Sequence, residues 1–142
     1  MYIISACLLG ENCKYNGGNN RDEKVLAFLA DKEVVAVCPE KVLGIPRTPM
    51  EIVNGKLIDR DGVEVDGTVR TAIDKILDML KAEPVEMAIL KSRSPTCGVR
   101  QIYDGSFTGT LTDGWGTAAQ LLQNAGLRVL GESELATFLR DN

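Results

Sequence analysis

The sequence predicts an α/β domain built on a mainly parallel β-sheet with a small hairpin insertion. Short apolar runs typical of buried strands alternate with stretches that have the 3.6-residue period of helices. Turn-rich loops containing Gly, Pro, Ser and Cys follow the apolar runs. The length of 142 residues suits a single domain, residues 1–142, with one hydrophobic core.

Four apolar runs are the predicted strands of the parallel sheet, at residues 2–6, 33–38, 85–90 and 127–130. A cysteine lies at the end of each of the first three runs or in the loop that follows: Cys7, Cys38 and Cys97. Parallel strands place their carboxyl ends at one edge of a sheet, where open α/β domains hold their ligands. We therefore expect these three thiols to converge on one pocket.

Four helices are expected between and after these strands, at residues 22–31, 68–82, 117–124 and 133–140. Asp22 is expected as the N-cap or a first-turn acid of the first helix, and Ser133 as the N-cap of the last. Val69, Ile73 and Ile76 belong to the apolar face of the second helix, which Pro84 ends. Gly126 is expected to cap the third helix at its carboxyl end.

The connecting segments carry their own signals. Asn54-Gly55 between two apolar pairs predicts a hairpin over residues 52–59. Residues 39–51 contain prolines at three positions, which forbids a regular helix and indicates a stiff, functional loop. Two glycine-punctuated segments, 103–109 and 112–116, are expected to flank the pocket.

Composition excludes several function classes. Sixteen Lys and Arg against twenty Asp and Glu give a net charge of −4, which disfavours binding to an extended nucleic acid and favours a small substrate. No apolar run is long enough to cross a membrane, and the first residues lack the features of a signal peptide, so we expect a cytoplasmic protein. With no histidine in the chain, catalysis has to use carboxylates, hydroxyls, thiolates or a cofactor.

The chain has four cysteines but no Cys-x2-Cys pair, which disfavours a zinc ribbon and a thioredoxin-type redox motif. A single cysteine at a strand end is more often a packing residue than a functional one. Three converging thiolates, however, select zinc or an iron–sulfur cluster, and three protein ligands leave one coordination position open. Cys13, six residues after Cys7, is either a fourth ligand that closes the site or a thiol turned away from it.

Acidic and hydroxyl groups near these cysteines are candidates for catalysis. Glu40 is preferred over Glu51 as the general acid or base because one proline fixes its distance from Cys38. Ser94, with Ser92 behind it, precedes Cys97; its hydroxyl either binds the substrate or caps a turn.

Basic residues are concentrated in the same two loops, at Arg47, Lys91, Arg93 and Arg100. On an acidic protein, locally basic loops indicate a pocket for an anionic group such as a phosphate or a carboxylate. Each of these residues taken alone is also consistent with a solubilising surface charge. We expect Arg47, Lys91 and Ser92 to bind the substrate.

The motifs together resemble the bacterial domain of unknown function 523 family, which includes the thiouracil desulfidases. The resemblance covers nearly the whole chain and depends on Ser-Ala-Cys-Leu-Leu-Gly at 5–10 with Lys-Tyr-Asn-Gly at 14–17, Cys-Pro-Glu at 38–40 with Pro-Arg-x-Pro-x-Glu at 46–51, and Leu-Lys-x-x-Ser-Pro-x-Cys-Gly at 90–98 with Tyr-Asp-Gly-Ser-Phe at 103–107. The sequence departs from the family pattern in a shorter segment between 40 and 46 and in residues 65–72, which affects the walls of the pocket.

The resemblance implies a Rossmann-like three-layer domain with a [4Fe–4S] cluster held by Cys7, Cys38 and Cys97. It also implies removal of sulfur from a thiolated uracil as base, nucleoside or nucleotide, giving the oxo product and sulfide. Glu40 and Ser94 are then the catalytic residues, and Cys13 is not a ligand. A three-cysteine zinc hydrolase and a non-catalytic protein that binds a cluster or sulfur remain alternatives, and the oligomeric state stays open.

Overall fold

A computed structural model describes residues 1–141 of the chain. Its eight strands are β1 (Tyr2–Ser5), β2 (Val34–Val37), β3 (Met50–Val53), β4 (Lys56–Asp59), β5 (Met87–Leu90), β6 (Gln101–Tyr103), β7 (Leu111–Asp113) and β8 (Val129–Gly131). The central sheet has the order β2-β1-β5-β8, and its three strand pairs are all parallel. The predicted parallel sheet is therefore confirmed.

Helices cover both faces of this sheet: α1 (Glu23–Leu29), α2 (Asp66–Leu80), α3 (Thr117–Asn124) and α4 (Leu135–Asp141). Because successive side chains of a strand point to opposite faces, Ile3 and Ile4 of β1 belong to different cores. Ile3 packs in the cluster that contains Leu80 of α2 and Leu122 of α3. Ile4 packs in the cluster that contains residues of α1 and α4. The domain thus has the three layers of an α/β fold, as expected.

The helix boundaries follow the predicted signals closely. The Asp22 carboxylate accepts N–H groups of Lys24 and Val25 at 3.0 and 3.1 Å, as an N-cap should. Gly126 follows α3 with φ of +89°, the left-handed conformation expected after a helix. The predicted Ser133 cap is wrong: Ser133 lies inside a 3₁₀-helix at Glu132–Glu134 that precedes α4. No helix described for residues 1–141 has the length and apolar composition needed to cross a membrane.

Two antiparallel hairpins accompany the central sheet. The predicted one pairs β3 with β4, and both residues of its Asn54-Gly55 turn have positive φ, at 51° and 80°. The second pairs β6 with β7, which overlap only the first residues of the two segments that the sequence indicated as glycine-punctuated loops, 103–109 and 112–116. Each of its strands has three residues, too few to display a clear alternation of apolar and polar side chains. The segment after β2 begins with a 3₁₀-helix, Pro39–Leu43, and contains no α-helix.

Candidate active site

Cys7, Cys38 and Cys97 line one cavity of about 540 Å³ at the carboxyl ends of β1, β2 and β5. Cys7 lies in a 3₁₀-helix, Ala6–Leu9, that follows β1 directly, and Cys38 is the first residue after β2. Cys97 is further along the loop after β5. The structure therefore brings together three thiols that are up to 90 residues apart in the sequence.

The loop that carries Cys97 is held tightly. The Ser94 hydroxyl accepts the backbone N–H groups of Thr96 at 3.2 Å and Cys97 at 3.1 Å. A side chain at Gly98 would place its Cβ 2.5 Å from the Ser94 carbonyl oxygen, so only glycine fits after Cys97. These contacts fix where the Cys97 sulfur enters the cavity.

Donor groups of the protein reach two of the three sulfurs. The Asn20 side-chain amide donates to Cys7 Sγ at 3.4 Å, and the Ser5 hydroxyl donates to Cys97 Sγ. The Thr96 hydroxyl also lies 3.7 Å from Cys97 Sγ, but its proton goes to Glu40. Burial raises the pKa of the Cys7 thiol, and the bond from Asn20 opposes part of that rise. Burial raises the pKa of Cys97 to about 12. Both thiols are thus protonated near neutral pH in the metal-free protein, and metal binding would displace their protons.

Cys13 lines the same cavity and is 1% exposed, so it is not turned out into solvent. Burial, followed by the charge of Cys38, raises its pKa to about 12. The Cys38 thiol donates a hydrogen bond of 3.8 Å to the Cys13 carbonyl oxygen. A fourth thiol therefore belongs to the wall of the cavity that Cys7, Cys38 and Cys97 line.

The thiols fit an iron–sulfur cluster in their chemistry. Cysteine thiolates are the usual protein ligands of such clusters, and neighbouring protein groups usually donate hydrogen bonds to the cysteine sulfurs. Among residues 1–141, no group of three or more His, Cys, Asp or Glu side chains is arranged to hold a single metal ion. Three thiols from separate strand ends around an open cavity, with the Asn20 amide and the Ser5 hydroxyl as donors to two of them, match the donor set that a cluster requires.

Glu40 lies on the cavity wall in the 3₁₀-helix after Cys38, and both of its carboxylate oxygens are bound. Arg47 Nη2 donates to Oε2 at 2.9 Å, and the Thr96 hydroxyl donates to Oε1 at 3.1 Å. The side chains of Glu40 and Arg47 are only 17% and 6% exposed. Solvent screening of this ion pair is therefore weak, and the carboxylate is held in one orientation.

A family model described as 2-thiouracil desulfurase matches residues 2–134. This chain belongs to the 2-thiouracil desulfurase family. It is 36% identical to the uncharacterized protein YbbK of Bacillus subtilis (strain 168), over 98% of this chain and 100% of that protein. The solved structure of the [4Fe-4S]-dependent thiouracil desulfidase TudS superposes with a TM-score of 0.87 at 31% identity, covering 96% of this chain and 93% of that one.

Ser94, Ser92 and Lys91, the other predicted site residues of this family member, also line the cavity. Ser94 caps its turn, as one of the two sequence interpretations expected, and its oxygen lies 3.1 Å from the Thr96 hydroxyl. The Ser92 hydroxyl bonds Ser133 at 2.8 Å, and Lys91 Nζ pairs with Glu132 at 3.1 Å. The polar groups of Ser92 and Lys91 are thus engaged with the segment after β8.

The predicted basic residues divide into two groups. Arg47, Lys91 and Arg93 line the cavity, but Arg100 does not: it pairs with Glu134 and lies 5.6 Å from the Trp115 ring. Arg47 and Lys91 are neutralised by carboxylates of the protein. Three cavity cations have no acidic partner in the described part of the chain: Lys14, Arg60 and Arg93.

Sequence reasoning missed several residues of the site. Thr96 joins Glu40 to the cysteine loop, and Asn20 bonds a cysteine sulfur. Aromatic rings of Tyr15, Tyr103 and Phe107 line the cavity. The motifs around some of these residues could have identified them. Thr96 directly precedes Cys97, and both Tyr103 and Phe107 belong to the segment expected to flank the pocket.

Glu51, the alternative acid, is bound to the backbone of that flanking segment. Its Oε1 accepts the N–H groups of Gly105 at 2.9 Å and Phe107 at 3.3 Å. Glu51 thus holds a loop of the cavity wall, whereas Glu40 contacts the loop that carries Cys97.

Proposed function

We propose that this protein is a [4Fe–4S]-dependent thiouracil desulfidase. It would convert a thiolated uracil, as base, nucleoside or nucleotide, and water into the oxo product and hydrogen sulfide. The observation that carries the proposal is one cavity lined by three strand-end thiols and a bound carboxylate, Glu40. Membership of the 2-thiouracil desulfurase family and the likeness to TudS support it.

Cys7, Cys38 and Cys97 would hold the cluster, with the Asn20 amide and the Ser5 hydroxyl as donors to two of the sulfurs. When bound, the cluster would supply a Lewis-acidic iron without a protein ligand, which polarises the C–S bond of the substrate. The neighbouring loops supply the remaining groups of the site.

Glu40 would act as the proton carrier of this hydrolysis. A C–O bond to water forms and the C–S bond breaks, so one proton has to leave the water and one has to reach the departing sulfur. The Glu40 carboxylate would take the first proton and deliver it to sulfur, so no electrons are exchanged. Arg47 and Thr96, which bond its two oxygens at 2.9 and 3.1 Å, hold it in place for both transfers.

Ser94 and the basic side of the cavity would orient the substrate. Two backbone N–H groups occupy the acceptor side of the Ser94 oxygen, which leaves its hydroxyl proton to donate. Thr96 accepts this proton in the absence of substrate, and a substrate carbonyl would compete for it. Arg47, Lys91 and Ser92 would form the polar wall beside the ring.

Cys13 supports a second candidate, a closed cluster-binding module without catalysis, because a fourth buried thiol lines the same cavity. Anoxic reconstitution separates the two. A desulfidase should bind about four iron and four sulfide per chain and release sulfide from 2-thiouracil. Zinc without labile sulfide, or a cluster that supports no sulfide release, would contradict the proposed function.

A further inference from the structure

The loop between β6 and β7 places an aromatic ring on the cavity wall in an unusual backbone conformation. Phe107 lines the cavity, and its φ is +59°, in the left-handed region that glycine adopts readily and bulky residues avoid. Nothing in the size or chemistry of a phenylalanine favours this conformation. Some other contact has to keep it there.

Glu51 supplies that contact. Its Oε1 accepts the N–H groups of Gly105 and Phe107, which fixes the backbone on both sides of residue 106. Gly105 has φ of +91°, and a Cβ on it would lie 2.6 Å from the Ile52 carbonyl oxygen. The loop is therefore pressed against β3, and one carboxylate holds its backbone at Phe107, which lines the cavity.

The ring is not required by the hydrophobic core. Phe107 is half-buried and belongs to none of the three core clusters described for residues 1–141. Strained residues persist where the surroundings over-determine them, and they concentrate at ligand sites. A flat apolar ring on a cavity wall offers a stacking face for a planar heterocycle.

We propose that Phe107 determines specificity by stacking on the face of the pyrimidine ring, and that Glu51 is the positioning residue that holds it there. The inference rests on the proposed function, because it assigns a role toward the same substrate. It adds that recognition of the flat ring and removal of its sulfur use separate groups: Phe107 with Glu51 for the first, and Glu40 for the second.

The first test compares Phe107→Leu with Phe107→Tyr in reconstituted protein. Loss of the ring should raise the KM for 2-thiouracil about tenfold, within the range that base stacking on aromatic side chains contributes, and change kcat by less than about threefold. Phe107→Tyr keeps the ring and should keep the KM. The affinity for uracil, measured by calorimetry, should fall in Phe107→Leu by the same factor as the KM for 2-thiouracil rises.

Phe107→Gly separates the role of the ring from a merely structural role. Glycine adopts positive φ without strain, so this variant should have a melting temperature equal to or above that of the natural protein. Its KM should nevertheless rise as in Phe107→Leu. A lower melting temperature with an unchanged KM would show that Phe107 serves the fold and would overturn the inference.

Glu51→Ala removes the acceptor for both loop amides, whereas Glu51→Gln keeps a carbonyl oxygen. We expect Glu51→Ala to raise the KM for 2-thiouracil as much as Phe107→Leu does. Combining the two substitutions should raise the KM no further, because both substitutions act through the Phe107 ring. Glu51→Gln should have a KM close to that of the natural protein. Additive effects, or a loss confined to kcat, would overturn the assignment of Glu51.

The proposed function and this inference fail in different ways. A natural protein that binds uracil but releases no sulfide would end the proposed function, and the uracil affinities of the Phe107 variants would still test the stacking role. Normal sulfide release with equal KM and equal uracil affinity in Phe107→Leu would overturn the inference alone.

Discussion

The Thr96 hydroxyl donates a hydrogen bond of 3.1 Å to Oε1 of Glu40. Thr96 is 1% exposed, so water does not replace this bond easily. The same hydroxyl lies 3.1 Å from the Ser94 oxygen and 3.7 Å from Cys97 Sγ. One buried hydroxyl thus connects the proposed proton carrier to the loop that carries a proposed cluster ligand.

We predict that Thr96→Val lowers kcat about tenfold or more with little change in KM. Valine has nearly the shape of threonine but no hydroxyl, so Glu40 Oε1 loses its donor, a loss worth about 1–3 kcal/mol for a buried acceptor. Steady-state kinetics with iron analysis of each preparation would measure this. Thr96→Ser restores a hydroxyl and should restore turnover; a Val variant with full kcat would contradict the positioning role.

Glu40→Gln should keep the cluster and lose turnover by about 10²- to 10⁴-fold, the usual contribution of a general acid or base. The amide retains an oxygen that can accept from Arg47 or Thr96 but cannot carry a proton between water and sulfur. Sulfide release per iron-loaded chain is the measurement. Turnover near the natural rate with a full complement of iron would place the proton carrier elsewhere.

Several parts of the fold were predictable because their causes are local. The turn at Asn54-Gly55 specifies a hairpin through its positive φ values, and the Asp22 carboxylate caps the helix that follows it. The hairpin of β6 and β7 was not predictable, because its three-residue strands carry no periodicity and Glu51, from a distant segment, binds its loop.

The sequence predicted several of the residues that lie at the candidate site, but it did not predict which side chains contact one another there. Strand ends placed Cys7, Cys38 and Cys97 at one edge, since parallel pairing aligns them. The bond from Thr96 to Glu40 joins residues 56 positions apart and depends on how two loops pack. Side-chain partners such as Glu132, which neutralises Lys91, likewise have no signal in the sequence.

Replacing Cys7, Cys38 or Cys97 by alanine should abolish cluster binding, whereas Cys13→Ala should spare it. Each of the first three supplies one of only three proposed anchoring thiolates, and a cluster held by two is labile. Iron and labile sulfide per chain, with the visible absorption of the reconstituted protein, would measure this. Loss of the cluster in Cys13→Ala alone would identify Cys13 as a ligand and support a closed metal site.

A thiolated uridine monophosphate should be a better substrate than free thiouracil. Lys14, Arg60 and Arg93 line the cavity without acidic partners in residues 1–141, so they are available to a phosphate. We expect the KM for the nucleotide to be at least about fivefold lower than the KM for free thiouracil. The KM for the nucleotide should rise at high salt, because salt screens exposed charges, whereas the KM for the uncharged base should not.

Arg93→Ala and Arg100→Ala form the matched pair for this prediction. Arg93 lines the cavity, whereas Arg100 is engaged by Glu134 and lies outside it. Arg93→Ala should raise the KM for the nucleotide and leave that for the base unchanged, since only the nucleotide carries a phosphate. Arg100→Ala should change neither. Equal kinetics on base and nucleotide in the natural protein would show that these cations do not bind a phosphate, and the substrate would then be recognised through its ring alone.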